Sequence, residues 1–210
     1  RDRFKFSLYP NLNKLLSDRR ASIQGEQVKQ LIRTEIQNVF ASGSGVERVF
    51  FPERSNQIPD RPAVTFVILS PEQSVKVYKL IEEMTQEYGK SARTFKSALI
   101  WIVADSDSGL HDDGRKMIAW EAIQEEEDEL KLDDIQKRQL SESVKRAQRD
   151  LKESIWRAYK NIIVLDKNNK LKTIDLGLVH SSAAENLVTL VLNRLRQDGE
   201  IEKEISPNFI

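Results

Sequence analysis

Between residues 98 and 104 the chain reads ALIWIVA, an apolar run that ends in Asp105 and, two residues on, Asp107. A run of β-branched and aromatic residues without alternation suits a strand covered on both faces. It predicts the central strand of a parallel or mixed sheet. AVTFVIL at residues 63–69 predicts a second buried strand. Between the two, Ser70 with Pro71 at the first helical position and Gln73 three residues on predicts a helix start. Val75, Tyr78, Leu80, Ile81 and Met84 continue that helix, and Gly89 predicts its end. Strand, helix, strand is a crossover unit, expected to be right-handed with parallel strands.

The flanking patterns fill in the rest. FKFSLY at residues 4–9 alternates like a half-buried strand and stops at Pro10 and Asn11. Pro10 can open a helix through Leu12, Leu15 and Leu16, and Gly25 separates it from an amphipathic helix over about residues 26–40. VERVFF at 46–51 predicts a short strand closed by Pro52, followed by a loop over 53–62. A helix over 115–123 runs into the acidic block 125–129, and Asp133 or Asp134 starts another. Leu140, Val144, Ala147, Leu151, Ile155 and Ala158 then form a near-heptad seam. The two helices predict an antiparallel hairpin, over about 112–160, inserted between strands. Residues 161–165 and 171–174 flank DKNNK and predict a β-hairpin. Ser182 and Glu185 predict a capping box for a last helix over 183–196, within a C-terminal helical extension over 178–210. The expected fold is a single α/β domain over 1–210: a three- to five-stranded mixed sheet flanked by helices, with an inserted helical hairpin.

Composition narrows the chemistry. The 210 residues are 39% hydrophobic and 31% charged, as in a globular chain with charged surface helices. Thirty-three basic residues balance 33 acidic ones, which argues against a generally basic nucleic-acid binder but leaves room for a local patch. Lys145, Arg146, Arg149, Lys152 and Arg157 make the seam helix basic, with Glu142, Asp150 and Glu153 interleaved. Cysteine is absent, which removes disulfides, thiolate catalysis and cysteine-ligated zinc. His111 and His180 are too far apart in sequence for a local metal motif. With no apolar run of membrane length and no signal peptide, the chain is expected to be soluble and cytoplasmic, with no membrane partner. It begins at Arg1, not Met, so it is expected to be cut from something longer.

Gly89-Lys90-Ser91 resembles the end of a phosphate loop, but Met84 stands where that motif needs its first glycine. A helix precedes it and a strand follows, the reverse of what a phosphate cradle needs, so it is expected to be a helix C-cap. Asp105 and Asp107, with Asp112 and Asp113 on the next loop, place four carboxylates near a strand end. Such a cluster could hold a hard divalent cation and serve a magnesium-dependent phosphodiesterase or nuclease. The simpler reading is that Asp, Ser and Gly favour turns and that Asp at a helix start satisfies free amides. Arg19 and Arg20 could contact phosphate or a partner in trans, or pair with Asp18 or the acidic block. His111 could act as acid or base but has no nucleophile placed beside it. His180 suits a helix start, and Trp101, Trp120 and Trp156 suit the core.

The segment FSLYPNLNKLLSDRRASI at residues 6–23 resembles a stretch of large prokaryotic ATPases related to the AAA+ group, an uncharacterised family called domain of unknown function four-ninety-nine. VFFPE at 49–53, SALIWIVAD at 97–105 and the helix around Ala119-Trp120 agree with it. Such proteins carry their phosphate loop upstream, and some occur in phage-defence gene neighbourhoods. The resemblance implies that this chain is a C-terminal region, with ATP and magnesium held by the rest of the parent ATPase and no cofactor of its own. Arg19 and Arg20 fall in the shared stretch, and the resemblance assigns them no role. The expected function is a non-catalytic accessory or assembly domain of a large P-loop ATPase, partnered by the rest of that protein and by other subunits. The alternatives are the metal-dependent phosphodiesterase and a nucleic-acid-binding module.

Overall fold

A computed structural model describes residues 11–74, 76–105, 109–178 and 186–201. In chain order the elements are α1 (Leu12–Ser22), α2 (Gly25–Val39), β1 (Glu47–Phe50), β2 (Thr65–Ile68), α3 (Val77–Gln86), β3 (Glu87–Tyr88), β4 (Ser91–Ala92), β5 (Leu99–Val103), α4 (Leu110–Glu125), α5 (Asp134–Ala158), β6 (Asn161–Leu165), β7 (Leu171–Asp175) and α6 (Leu187–Gln197). The fold is α/β, with a five-stranded mixed sheet in the order β1-β2-β5-β6-β7 and, among the described residues, six α-helices. The chain divides into two compact units. One is helical, the described residues up to Glu35 together with Gly109–Ser154; the other is α/β, Ile36 to 105 and Ile155 onward. Among the described residues no helix is long and apolar enough to cross a membrane. The strand expected at 4–9 and the capping pair Ser182 and Glu185 lie outside the described residues.

In the α/β unit, β1, β2 and β5 run parallel, and β6 and β7 add antiparallel strands, as the buried apolar runs and the hairpin signal require. Every residue of β5 is buried. Leu99, Trp101 and Val103 face one side of the sheet, where Val77, Ile81 and Met84 of α3 and Ile58 of the preceding loop cover them. Trp101 stands in register with Val67 on one side and Ile163 on the other, and its indole N–H donates to Thr85 at 3.1 Å. On the opposite face Phe66, Ile68, Ile100, Ile102, Ile162 and Ile174 are buried too. Turn chemistry closes β6 onto β7: Asn169 takes φ 60°, and Asp166 accepts from the amides of Asn168 and Lys170.

Two local expectations are corrected here. The helix expected from Ser70 starts later, because Pro71–Ser74 is a 3-10 turn and Lys76 takes the left-handed φ of 61°. Gln73 accepts the Ser70 amide at 2.9 Å and donates to the Pro52 carbonyl at 2.9 Å, so it ties the ends of β1 and β2 together. Gly89 is not a helix C-cap. With φ 62° it lies in the two-residue turn between β3 and β4, where a side chain would be strained. The last helix takes Asn186 as its cap, accepting from the Thr189 amide at 2.7 Å.

That small hairpin is held by an arginine that no pattern had marked. Arg93 is 2% exposed, and its guanidinium donates to the carbonyls of Met84, Ile58, Pro59 and Ser55 at 2.9–3.1 Å. It lies 5.5 Å from the Tyr88 ring centroid. Burial pulls its pKa down, and Asp60 and Tyr88 oppose that. Asp60 accepts the amides of Phe95 and Thr94, each at 2.8 Å, and those two bonds hold its carboxyl below the ordinary value of 3.8. One cation and one anion thus close residues 53–62 onto the segment that leads into β5.

In the helical unit, α1 is capped by Asn11, whose side chain accepts from the amides of Asn13 and Lys14, and Pro10 lies outside the described residues. Helix α4 begins at Leu110, after Gly109, five residues before the expected start. A Cβ on Gly114 would meet Val28 and Ile32 at 3.2 Å, so the missing side chain lets α4 approach α2. Asp133 caps α5, exchanging bonds with Gln136 in a box. The expected seam is buried throughout, from Leu140 to Ala158. Ser154 donates to Asp113 and Gln148 to Glu121, so α4 and α5 run antiparallel as a hairpin.

Arg93→Met removes every one of those donors and leaves buried carbonyls unsatisfied. It is expected to lower unfolding free energy by about 3 kcal/mol or more in a urea titration; a loss below about 1 kcal/mol would place the four bonds outside the folding balance. Because folding depresses the Asp60 pKa, its contribution is whole above the unfolded value and disappears as pH falls through the folded one. Asp60→Asn should therefore lower the melting temperature near neutral pH and make less difference in acid below the folded-state pKa, where the side chain at position 60 is uncharged in both variants. An equal effect at both pH values would contradict this.

Candidate functional site

In open α/β sheets ligands gather at the carboxyl ends of the parallel strands. In the α/β unit those ends are tied to the protein itself. Beyond β1, Phe51 takes φ 54° and Pro52 accepts from Gln73. Beyond β2, the Leu69 carbonyl accepts the hydroxyl of the fully buried Tyr159 at 2.7 Å, and Tyr159 meets Phe40 edge to face. Beyond β5, the Asp105 amide donates to Ala158 at 2.8 Å, and its carboxylate lies 3.7 Å from the Lys160 ammonium. Asp105 therefore closes the step from β5 to β6 and has a cation beside it.

Asp112 and Asp113 belong to the helical unit and stand in the first turn of α4, not on a loop. There they face the positive end of the helix dipole, the helix-start role weighed against metal binding. Asp113 also accepts from the buried Ser154 hydroxyl. Asp107 and His180 lie outside the described residues, and His111 is exposed beside Asp112. Among the described residues no three His, Asp or Glu side chains gather closely enough to hold a metal ion.

The paired arginines separate in role. Arg19 bonds Glu126 of the acidic block, one of the partners weighed for it. Arg20 makes no side-chain hydrogen bond or ion pair among the described residues, while its carbonyl and that of Ile23 accept from Arg115 at 3.2 and 2.6 Å. Gly89-Lys90-Ser91 is a hairpin turn, which presents no helix start to a phosphate. Trp101, Trp120 and Trp156 are all buried, as expected.

A cleft of about 590 Å³ in the helical unit went unmarked by the sequence reading. Helices α1, α4 and α5 line it. Leu12, Leu16 and Trp120 supply apolar surface, and Lys116, Arg146, Glu142 and Asp150 supply charges of both signs. Mixed charge around an apolar strip suits holding a polar chain more than breaking a bond. Its only sequence signal was the spacing of α1 and α4, and the space arises where three helices meet.

The chain matches no protein-family model, and no curated protein or solved structure is significantly similar to it.

Proposed function

We propose that this chain is a non-catalytic accessory and assembly module of a large P-loop ATPase, which holds the ATP and magnesium. The observation that carries the reading is where the resemblance to prokaryotic ATPases falls. Its segments lie on α1, on the end of β1 with Pro52, on β5 and on α4, which are elements that build the two units. The charged groups support the same reading: Asp105 stands beside Lys160, Asp113 bonds Ser154 and Arg19 bonds Glu126. Each of these performs structural work.

The mechanism in this reading is rigid-body coupling, in which packed elements pass on discrete shifts. The mixed-charge cleft is a place for a polypeptide partner.

The reading frame that encodes the chain should carry a glycine-lysine phosphate loop ahead of Arg1, and the purified chain should show no ATP–magnesium binding by calorimetry. A micromolar ATP site in the chain, or a reading frame without a phosphate loop, would contradict the proposal.

A further inference from the structure

The outer face of α5 carries charges that the fold leaves unused. Leu140, Val144, Ala147 and Leu151 turn inward and are buried. At 3.6 residues per turn one row on the outward side of the helix, beside Glu153, holds positions 138, 142, 145, 149 and 152. These are Arg138, Glu142, Lys145, Arg149 and Lys152, all exposed. Among the described residues none of the four cations makes a hydrogen bond or an ion pair, whereas their neighbour Lys137 lies 3.8 Å from Glu127. From Arg138 to Lys152 the stripe covers about 21 Å, with steps of about 10, 6 and 4.5 Å.

We propose that this stripe is a contact surface for the sugar–phosphate backbone of a nucleic-acid duplex, bound without regard to sequence. Three features select that partner. A protein interface needs an apolar or aromatic centre from which water is excluded; residues 138–152 of the row supply none, and the exposed Ile135 stands beyond its end. A single strand is held by stacking its bases on aromatic side chains, and residues 138–152 include none. A duplex backbone asks only for cations along a straight, stiff edge, which an exposed helix face provides. Glu142 interrupts the row, so the expected contacts number four. The zero net charge of the chain supplies no general attraction for a polyanion, so binding depends on a local row of cations. The proposal does not depend on the ATPase reading.

The test is fluorescence anisotropy of the 210-residue chain with a labelled DNA duplex of about 20 base pairs, at salt from about 50 to 200 mM. Four phosphate contacts predict a slope of log affinity against log salt of about −3.6, a loss of about a hundredfold across that range. The triple variant K145Q/R149Q/K152Q should reduce the slope to about −1 and weaken binding at least tenfold at the lowest salt. The changed side chains are exposed, and an unaltered melting temperature checks that the variant folds. Lys14→Gln, exposed on α1, should bind like the parent. Absent binding at the lowest salt, unchanged binding by the triple variant, or tighter binding to the matching single strand would overturn the proposal.

Discussion

The structure depends on one requirement: β5 must be covered on both faces. Its five side chains are all buried, with Trp101 on one side of the sheet and Ile100 and Ile102 on the other. A strand with no polar side chain cannot tolerate water on either face. Helix α3 and Ile58 meet that demand on the tryptophan side. β2 and β6 flank β5 in the ladder, β2 pairing with Leu99–Ile102 and β6 with Trp101–Val103. Arg93 serves the same end, because its four carbonyl partners belong to the loop and helix that lie over the Trp101 face.

What the sequence made legible was what periodicity encodes. The buried runs became β2 and β5, parallel and adjacent, and the near-heptad seam became the buried side of α5. The hairpin α4–α5 and the turn at Asn169 followed from local signals of the same kind. Features set by distant contacts were not legible. Arg93 reaches carbonyls up to 38 residues away, and nothing near it in sequence distinguishes it from a surface arginine. The interruption at Lys76 lies where a helix pattern continues without a break, so long-range packing overrides local preference there. At Gly89 the glycine signal fits a hairpin turn as well as a helix end, and pairing of β3 with β4 selects the turn.

The candidate chemistry divides in the same way. Acids after a buried strand are ambiguous from sequence, because a metal ligand and a helix-start acid have the same composition. Position resolves Asp112 and Asp113, which enter the first turn of α4, and Asp105, which sits beside Lys160. Arg19 finds its partner 107 residues away, a pairing that only the tertiary structure reveals. The interleaved charges of α5 look like an ordinary solvated face until the buried seam orients the helix. Four of its cations then fall on one side, and three of the four lie within two turns.

The most direct measurement of the central requirement is native-state hydrogen exchange along the sheet. If two-sided burial of β5 organises the fold, the amides of Ile100, Trp101 and Ile102 exchange only through global unfolding, with the full denaturant dependence of that transition. Edge strand β7, exposed at Lys172 and Thr173, opens at lower free energy. Exchange of the β5 amides by local opening, at or below the free energy of β7, would contradict the account.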